Sequence, residues 1–320
     1  MNEPTLPRWG LVSTIKAPAA DILAFAAYHL ERGAHRLYLY LDDPNPDALP
    51  HLKAHPKIRV TDCDATYWKR HHNKRPDMHQ PRQTLNASHA YRRKADVDWL
   101  IHMDVDEFLW SDRPLDAVLA ELSPDALCAR VRPIEALSGD GGAYKGFIRN
   151  ARQRDTIVRR IYPTFGQYVK AGFLSHVAGK LFVRTGLGPL TFKIHNIYRE
   201  EEENPGQVEL ETVDLCHRHA GEWQDWLSHY RYRLQQGSYR PGLAPSKPRD
   251  KGGLSMHELL SAIEAEDGEA GLRAFYDELC ADSPQLRERL DHEGLLRLRD
   301  LNLTHLRAKH FPEFTDIVAR

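Results

Sequence analysis

The stretch IHMDVDEFLW, residues 101–110, ends an apolar run on two aspartates one residue apart, Asp104 and Asp106, with Glu107 directly behind them. Carboxylates this close repel each other, and burial raises their pKa values, unless a divalent cation sits between or beside them. Hard oxygen ligands favour Mg²⁺ or Mn²⁺ over zinc, and an incomplete protein shell leaves coordination positions for diphosphate oxygens. Glu107 is placed to orient the pair from behind. Diphosphate oxygens attract cations in turn. Arg82, at the start of the helix before this strand, and Lys180 and Arg184 in GKLFVRTG are the candidates, with arginine able to bind bidentately. Lys180 and Arg184 stand an even number of residues apart on a predicted strand, so both side chains leave the same face and are expected to reach one cleft. His79, Gln80, Gln83 and Asn86 form a polar cluster around the same helix start, suited equally to hydroxyl-rich ligands and to capping.

The elements that must position these groups read as α/β. WGLVSTIK (9–16) is a short apolar strand closed by Pro18. A helix follows, with Ile22, Phe25, Ala26, His29 and Leu30 at helical spacing and Gly33 placed to end it in a left-handed conformation. HRLYLYL (35–41) is a strand buried on both faces, ending in Asp42, Asp43 and Pro44, and KIRVTDC (57–63) is a third. Strand, helix and strand this close in sequence require a crossover, which predicts a doubly wound, mostly parallel sheet. The basic, His-rich run YWKRHHNKRPDMHQP (67–81) reads as a surface loop, residues 82–95 as a weakly amphipathic helix, and DWLIHMDVDEFLW (98–110) as the fourth strand. A helix over 114–121, a strand in ALCARVRPI and the Gly-rich turn SGDGG (138–142) follow. TIVRRIY, KLFVRT, LTFKIHNIY and VELETVDLCH then suggest an antiparallel extension of the sheet. The helix from Trp223 carries Trp226, Tyr230 and Leu234 as a core stripe, while Tyr239 beyond it is the better candidate for a stacking role at a cleft rim. The Pro- and Gly-rich linker 240–253 separates this body from amphipathic tail helices near 255–266, 270–280 and 285–308.

Composition narrows the function classes. The 320 residues carry 44 Lys+Arg against 45 Asp+Glu, a formal net charge of −1, which excludes nucleic-acid binding by bulk charge. With 41% hydrophobic and 28% charged residues the chain can bury a sizeable core. No stretch approaches the roughly 18 apolar residues of a membrane span, and no signal peptide is evident at the N-terminus. Cys63, Cys128, Cys216 and Cys280 lack metal-knuckle or disulfide spacing, which suits a reducing compartment. The expected location is cytoplasmic, or peripheral to the inner face of the membrane.

DWLIHMDVDEFL, preceded by the helix RQTLNASHAYRRKAD and by an early strand-helix-strand ending in Asp42 and Asp43, resembles glycosyltransferase family 2-like proteins of GT-A fold, closest to the branch whose metal motif reads DVDEF. The resemblance covers residues 9–236. It implies a GT-A domain over 1–240, with a nucleotide-binding half (9–110) and an acceptor-side half (111–240), and a linker with a helical C-terminal appendage over 241–320. It further implies a metal-dependent transfer of a sugar from a nucleotide-sugar, a UDP-sugar by expectation, to a glycan or lipid-linked acceptor. By the same resemblance Asp104 and Asp106 match the metal motif, and His217 in LCHRHAGEW matches a later histidine ligand, with His219 as fallback. Thr14, Lys16, Asp42 and Asp43 fall where base and ribose contacts lie. Relatives carry an Asn-Glu pair after strand one, where this chain has Ala17 and Pro18. Inverting transfer needs a general base that takes the acceptor hydroxyl proton. The resemblance places an acidic residue beyond the metal motif, and Glu135 in VRPIEAL and Asp140 in the Gly-rich turn are the candidates. The C-terminal helices are expected to pack on the body, form a homo-oligomer or hold a partner.

Two other classes fit part of the pattern. A phosphohydrolase would use an aspartate of the motif as nucleophile, but that chemistry places it on the first strand and follows it with a small hydroxylic residue, where Glu107 stands here. A non-catalytic carbohydrate- or nucleotide-binding protein would keep the fold without turnover.

Overall fold

The computed structural model describes residues 5–93, 96–139, 142–237, 239–245 and 247–314. In chain order its main elements are β1 (Trp9–Ile15), α1 (Ala19–Glu31), β2 (Arg36–Leu41), α2 (Leu49–Ala54), β3 (Ile58–Asp62), α3 (Ala65–His72), α4 (His79–Arg92), β4 (Trp99–His102), β5 (Glu107–Trp110), α5 (Leu115–Ala120), β6 (Cys128–Ala136), β7 (Ala143–Lys145) and α6 (Arg154–Ile161). They continue with β8 (Lys180–Arg184), β9 (Thr191–Phe192), β10 (Ile197–Arg199), β11 (Glu202–Glu203), β12 (Gln207–His217), α7 (Trp223–Gln235), α8 (Met256–Leu279), α9 (Pro284–His292), β13 (Leu296–Leu298) and α10 (Leu303–His310). The chain is α/β with a mixed sheet, and it forms two compact units built from interleaved segments.

The first unit comprises residues 1–132, 178–215 and 301–320. Its strands run in the order β8-β4-β1-β2-β3. β1 pairs in parallel with β2 and β4, and β2 with β3, whereas β8 is antiparallel to β4. The parallel strands are near-continuous apolar runs because both faces are covered. Gly10 in β1 is forced by proximity, since a Cβ there would lie 2.5 Å from the Arg36 carbonyl of β2. α1 ends as its sequence predicts, with Gly33 at φ +92° and the Ala34 N–H returning to the His29 carbonyl at 2.9 Å.

The second unit comprises residues 133–177 and 216–300. There Glu135 and Ala136 of β6 pair with β7, which pairs with β13, and a core of Trp226, Tyr230, Phe275, Tyr276 and Leu279 fills the helical side. α8 is two helices broken at Gly268 (φ 61°), as the tail spacing predicts, and Ser255 opens it with a reciprocal capping box to Glu258. All four cysteines are buried, and none is in a disulfide.

Four local expectations are corrected. Residues 65–72 are helical because Asp64 caps the turn, accepting from the Tyr67 N–H at 2.7 Å, and Tyr67 and Trp68 bury one face. TIVRRIY lies in α6, where Val158 and Ile161 are buried at helical spacing. The segment 285–308 is interrupted by β13, which takes the free edge of β7. The strand 98–110 is broken into β4 and β5 by a turn in which the Glu107 N–H donates to the Asp104 carbonyl at 3.1 Å.

His29 of α1 is fully buried, with Nδ1 2.9 Å from the Phe25 carbonyl and Nε2 accepting from the Leu109 N–H at 3.5 Å. Burial lowers its pKa to about 4 from an ordinary 6.5. A neutral ring is therefore part of the fold, and its stabilisation is complete above pH 6.5 and is lost as pH falls toward 4. The expected loss approaches ~3 kcal/mol if the whole shift is expressed, read by urea unfolding across that window. His29→Gln, which keeps a donor and an acceptor but does not titrate, should flatten the dependence.

Candidate functional site

Three parallel strands deliver the candidate residues to one edge of the first unit. Thr14 and Lys16 lie at the carboxyl end of β1, Asp42 and Asp43 at that of β2, and Asp104 two residues past β4. The register sets His102 beside Val12, so Asp104 comes level with Thr14. Ligands bind α/β sheets at this edge because the strands end there and the loops open.

α4 ties the three strand ends together. Arg82 Nε donates to Asp42 Oδ2 at 2.8 Å, Asn86 Nδ2 donates to Thr14 Oγ1 at 3.0 Å, and Gln83 Nε2 donates to Asp104 Oδ1. The weak amphipathicity of this helix is thereby explained: Arg82, Gln83 and Asn86 are buried polar residues serving the strand ends. The expected phosphate role of Arg82 is corrected in part. Its Nη1 donates to the carbonyls of Pro76 and Asp77 at 2.8 and 2.7 Å, so the guanidinium organises the loop. Arg75 adds a second contact to Asp42 at 3.0 Å. Lys16 and Asp43 pair at 2.6 Å on the exposed rim, a contact of little stabilising value.

Behind the turn sits a buried ammonium. Lys180 Nζ lies 2.7 Å from Asp104 Oδ2 and 3.3 Å from Glu107 Oε2, and Lys180 and Glu107 are both fully buried. Glu107 also accepts from the Asp104 N–H at 2.8 Å, closing the turn from below. Burial works against a charge on Lys180, but Asp104 and then Glu107 outweigh it and raise its pKa. His102, buried at the end of β4, is lowered to about 4, first by burial and then by the Lys180 charge. Gly179 makes the placement possible. It stands at φ +73°, and a Cβ there would meet the Val131 carbonyl at 2.0 Å.

The expectation that Lys180 and Arg184 reach one cleft is corrected. They share a face, but four residues along a strand is about 13 Å. Arg184 stands opposite Trp99 at the far end of β4, its guanidinium 4.3 Å from the indole centroid and hydrogen-bonded to the Ala126 carbonyl at 2.7 Å.

The second unit holds the remaining candidates. Glu135 and Lys145 are buried and paired at 2.5 Å. Glu135 also accepts from the Leu174 and Ser175 N–H groups at 3.0 and 2.7 Å, and Lys145 donates to the carbonyls of Gly172 and Leu279, each at 2.9 Å. Burial raises the Glu135 pKa, but Lys145 and His219 overcome it and bring it to about 2. The catalytic-base role expected of Glu135 does not fit, because a carboxylate so stabilised as the anion has little proton affinity. Asp140 lies outside the described residues. Tyr239 is 1% exposed, so the expected stacking role is replaced by core packing. His217, at the end of β12, is buried, and its ring centroid lies 5.2 Å from that of His176 and 5.3 Å from that of His219. Sequence reading missed His176, since it lies in a segment with no motif.

Both groups carry ligand types suited to a divalent ion: carboxylates in the first unit, imidazoles in the second. Both Asp104 oxygens are engaged in this structure, Oδ1 by Gln83 and Oδ2 by Lys180. Asp106, half-buried at the turn, is the motif carboxylate that fits an ion.

No protein-family model matches the chain, and no curated protein matches it. Among solved structures, HddC from Yersinia pseudotuberculosis is similar over 41% of this chain at 10% identity and a TM-score of 0.27. The matched region spans 60% of HddC.

The cluster around Lys180, in which Lys180 and Glu107 are fully buried, makes a stability prediction. Lys180→Met strands two carboxylates without a counter-charge and should cost about 3–5 kcal/mol, measured by denaturant unfolding. Adding Glu107→Gln to that variant should recover part of the loss.

Proposed function

We propose that this protein is a glycosyltransferase of GT-A type that moves a sugar from a nucleotide-sugar, a UDP-sugar on this reading, to a hydroxyl of a glycan or lipid-linked acceptor. The observation that carries the reading is the single carboxyl edge at which α4 holds Thr14, Asp42 and Asp104. Beside it, at the ends of β2 and β3, lies a cavity of about 390 Å³ lined by Leu41, Asp42, Asp43, Asp62, Cys63 and Asp64. Apolar walls with carboxylate acceptors suit a nucleoside, whose base offers N–H donors and whose ribose offers hydroxyls.

Asp42 is held in place by Arg82 and Arg75, so its acceptor oxygens are oriented before the nucleoside arrives. Lys16 and Asp43 are free to exchange their exposed pair for donor contacts. Asp106 is the carboxylate this reading assigns to Mn²⁺ or Mg²⁺, which when bound supplies positive charge for a diphosphate leaving group. Lys180 and Glu107 keep the turn that presents Asp106 in one shape. With Glu135 committed to Lys145, Asp140 is the base candidate that the sequence resemblance leaves.

A second reading, a nucleotide-binding protein without turnover, draws on the same commitment of Glu135, which removes one of the two base candidates. Calorimetric titration with UDP and GDP, with and without Mn²⁺, followed by donor hydrolysis and transfer assays, separates the two. Asp106→Asn should lower turnover at least ~100-fold while leaving unfolding stability within about 0.5 kcal/mol. Unchanged turnover would remove the metal assignment. Nucleotide binding without hydrolysis or transfer would select the second reading.

A further inference from the structure

Several surface cations of this protein meet a carboxylate, while others, such as Lys57, Lys170 and Arg218, stand singly without one among the described residues. Arg113 meets Glu121, Arg132 meets Glu209, Arg160 meets Glu293, Arg273 meets Asp277 and Lys309 meets Glu31. A different pattern holds where α3 and α4 end. Lys69, Arg70 and His71 lie in the last turn of α3, Lys74 follows it, and Arg92 ends α4, all exposed. Among the described residues Lys69, Arg70, Lys74 and Arg92 form no ion pair. The two helix ends make one surface, since the His71 and His89 rings lie 4.6 Å apart and the Arg92 charge acts on both His72 and His89.

Helix C-termini favour positive charge, which accounts for cations in the two last turns. It does not account for Lys74 beyond the α3 terminus, nor for four cations without an ion pair on a face whose 73–78 loop carries one exposed acid, Asp77. The loop from this patch also exposes Met78, 49% accessible in a protein with few exposed large apolar side chains. That loop is anchored. Arg75 reaches inward to Asp42, and Arg82 holds the carbonyls of Pro76 and Asp77 immediately before Met78. The result is a braced platform of unneutralised cations with one apolar side chain at its rim.

We propose that this face, the α3 end, the α4 end and the 73–78 loop, docks on an anionic lipid bilayer. A bilayer offers both a dense negative surface for the cations and an apolar layer for Met78. A single-stranded nucleic acid would call for exposed aromatics to stack on, and the aromatics of this segment, Tyr67 and Trp68, face the core. No helix among the described residues is long and apolar enough to cross a membrane, so the contact is adsorption to one leaflet. Asp42 is tied to the 73–78 loop, so that end of the face lies near the carboxyl edge of the sheet, while Arg92 ends α4 toward the amino end of β4. This suits a lipid-linked acceptor, although the docking itself does not depend on that chemistry.

The test uses the full chain and co-sedimentation with vesicles of phosphatidylcholine alone or with about 30% phosphatidylglycerol. Partition onto the anionic vesicles should be at least about ten-fold higher and should collapse between about 0.05 and 0.5 M NaCl. Lys69→Glu, Arg70→Glu and Arg92→Glu together should reduce it to the level of neutral vesicles. If that triple variant does not fold, Lys69→Gln with Arg70→Gln decides, with an intermediate loss expected at an unchanged melting temperature. Met78→Ser should weaken the salt-resistant remainder. Equal partition onto both vesicle types, or full binding by the charge variants, overturns the proposal. So does binding to heparin or RNA with none to vesicles. Vesicle binding requires no sugar donor, so its failure and the failure of the glycosyltransferase reading are separate results.

Discussion

The Lys180 ammonium, enclosed between Asp104 and Glu107, is the constraint on which the candidate site rests. A lysine this deep keeps its charge only beside carboxylates, and the carboxylates tolerate burial only beside the lysine. The three therefore fix one another, and the turn joining β4 to β5 takes its shape from them. β8 must run antiparallel to β4 and must be entered through Gly179, because no Cβ fits against the Val131 carbonyl just before Lys180. The three charges sum to −1, and Asp106 is the motif's second carboxylate.

α4 acts on the same edge from the other side. A helix that packed on the sheet through apolar side chains alone would leave the strand ends to fray. Here Arg82, Gln83 and Asn86 spend buried polar groups on Asp42, Asp104 and Thr14, and each finds a partner. Satisfied buried networks of this kind specify one arrangement, because losing any member leaves a desolvated group unpaired. The nucleotide cavity proposed at the ends of β2 and β3 inherits its rigid wall from Asp42 in that network.

The second unit uses the same physics for a different end. Glu135 and Lys145 are as buried as Glu107 and Lys180, yet they hold backbone groups from Gly172, Leu174, Ser175 and Leu279 and face no opening sheet edge. Environment decides the role of a carboxylate more than residue type does. A glutamate after a strand reads as a base in one dimension and turns out to be a structural anion in three.

The parallel core was legible in the sequence because it rests on local signals. Continuous apolar runs, a helix with its terminating Gly33, and aspartates at strand ends predicted β1, α1, β2, β3 and the edge where the candidates gather. Local reading failed where a competing local force was stronger than composition, as when the Asp64 cap and the buried Tyr67 and Trp68 made a helix of a polar, basic run. It also failed at distance. Lys180 follows Asp104 by 76 residues, and Lys145 meets Glu135 through strand register, so no spacing rule could assign either pair. Residue type and order determined that acidic groups would stand at the ends of buried strands. Only tertiary structure decided which of them a buried lysine would neutralise, because the energy of a buried charge is set by whatever the fold brings within a few ångströms of it.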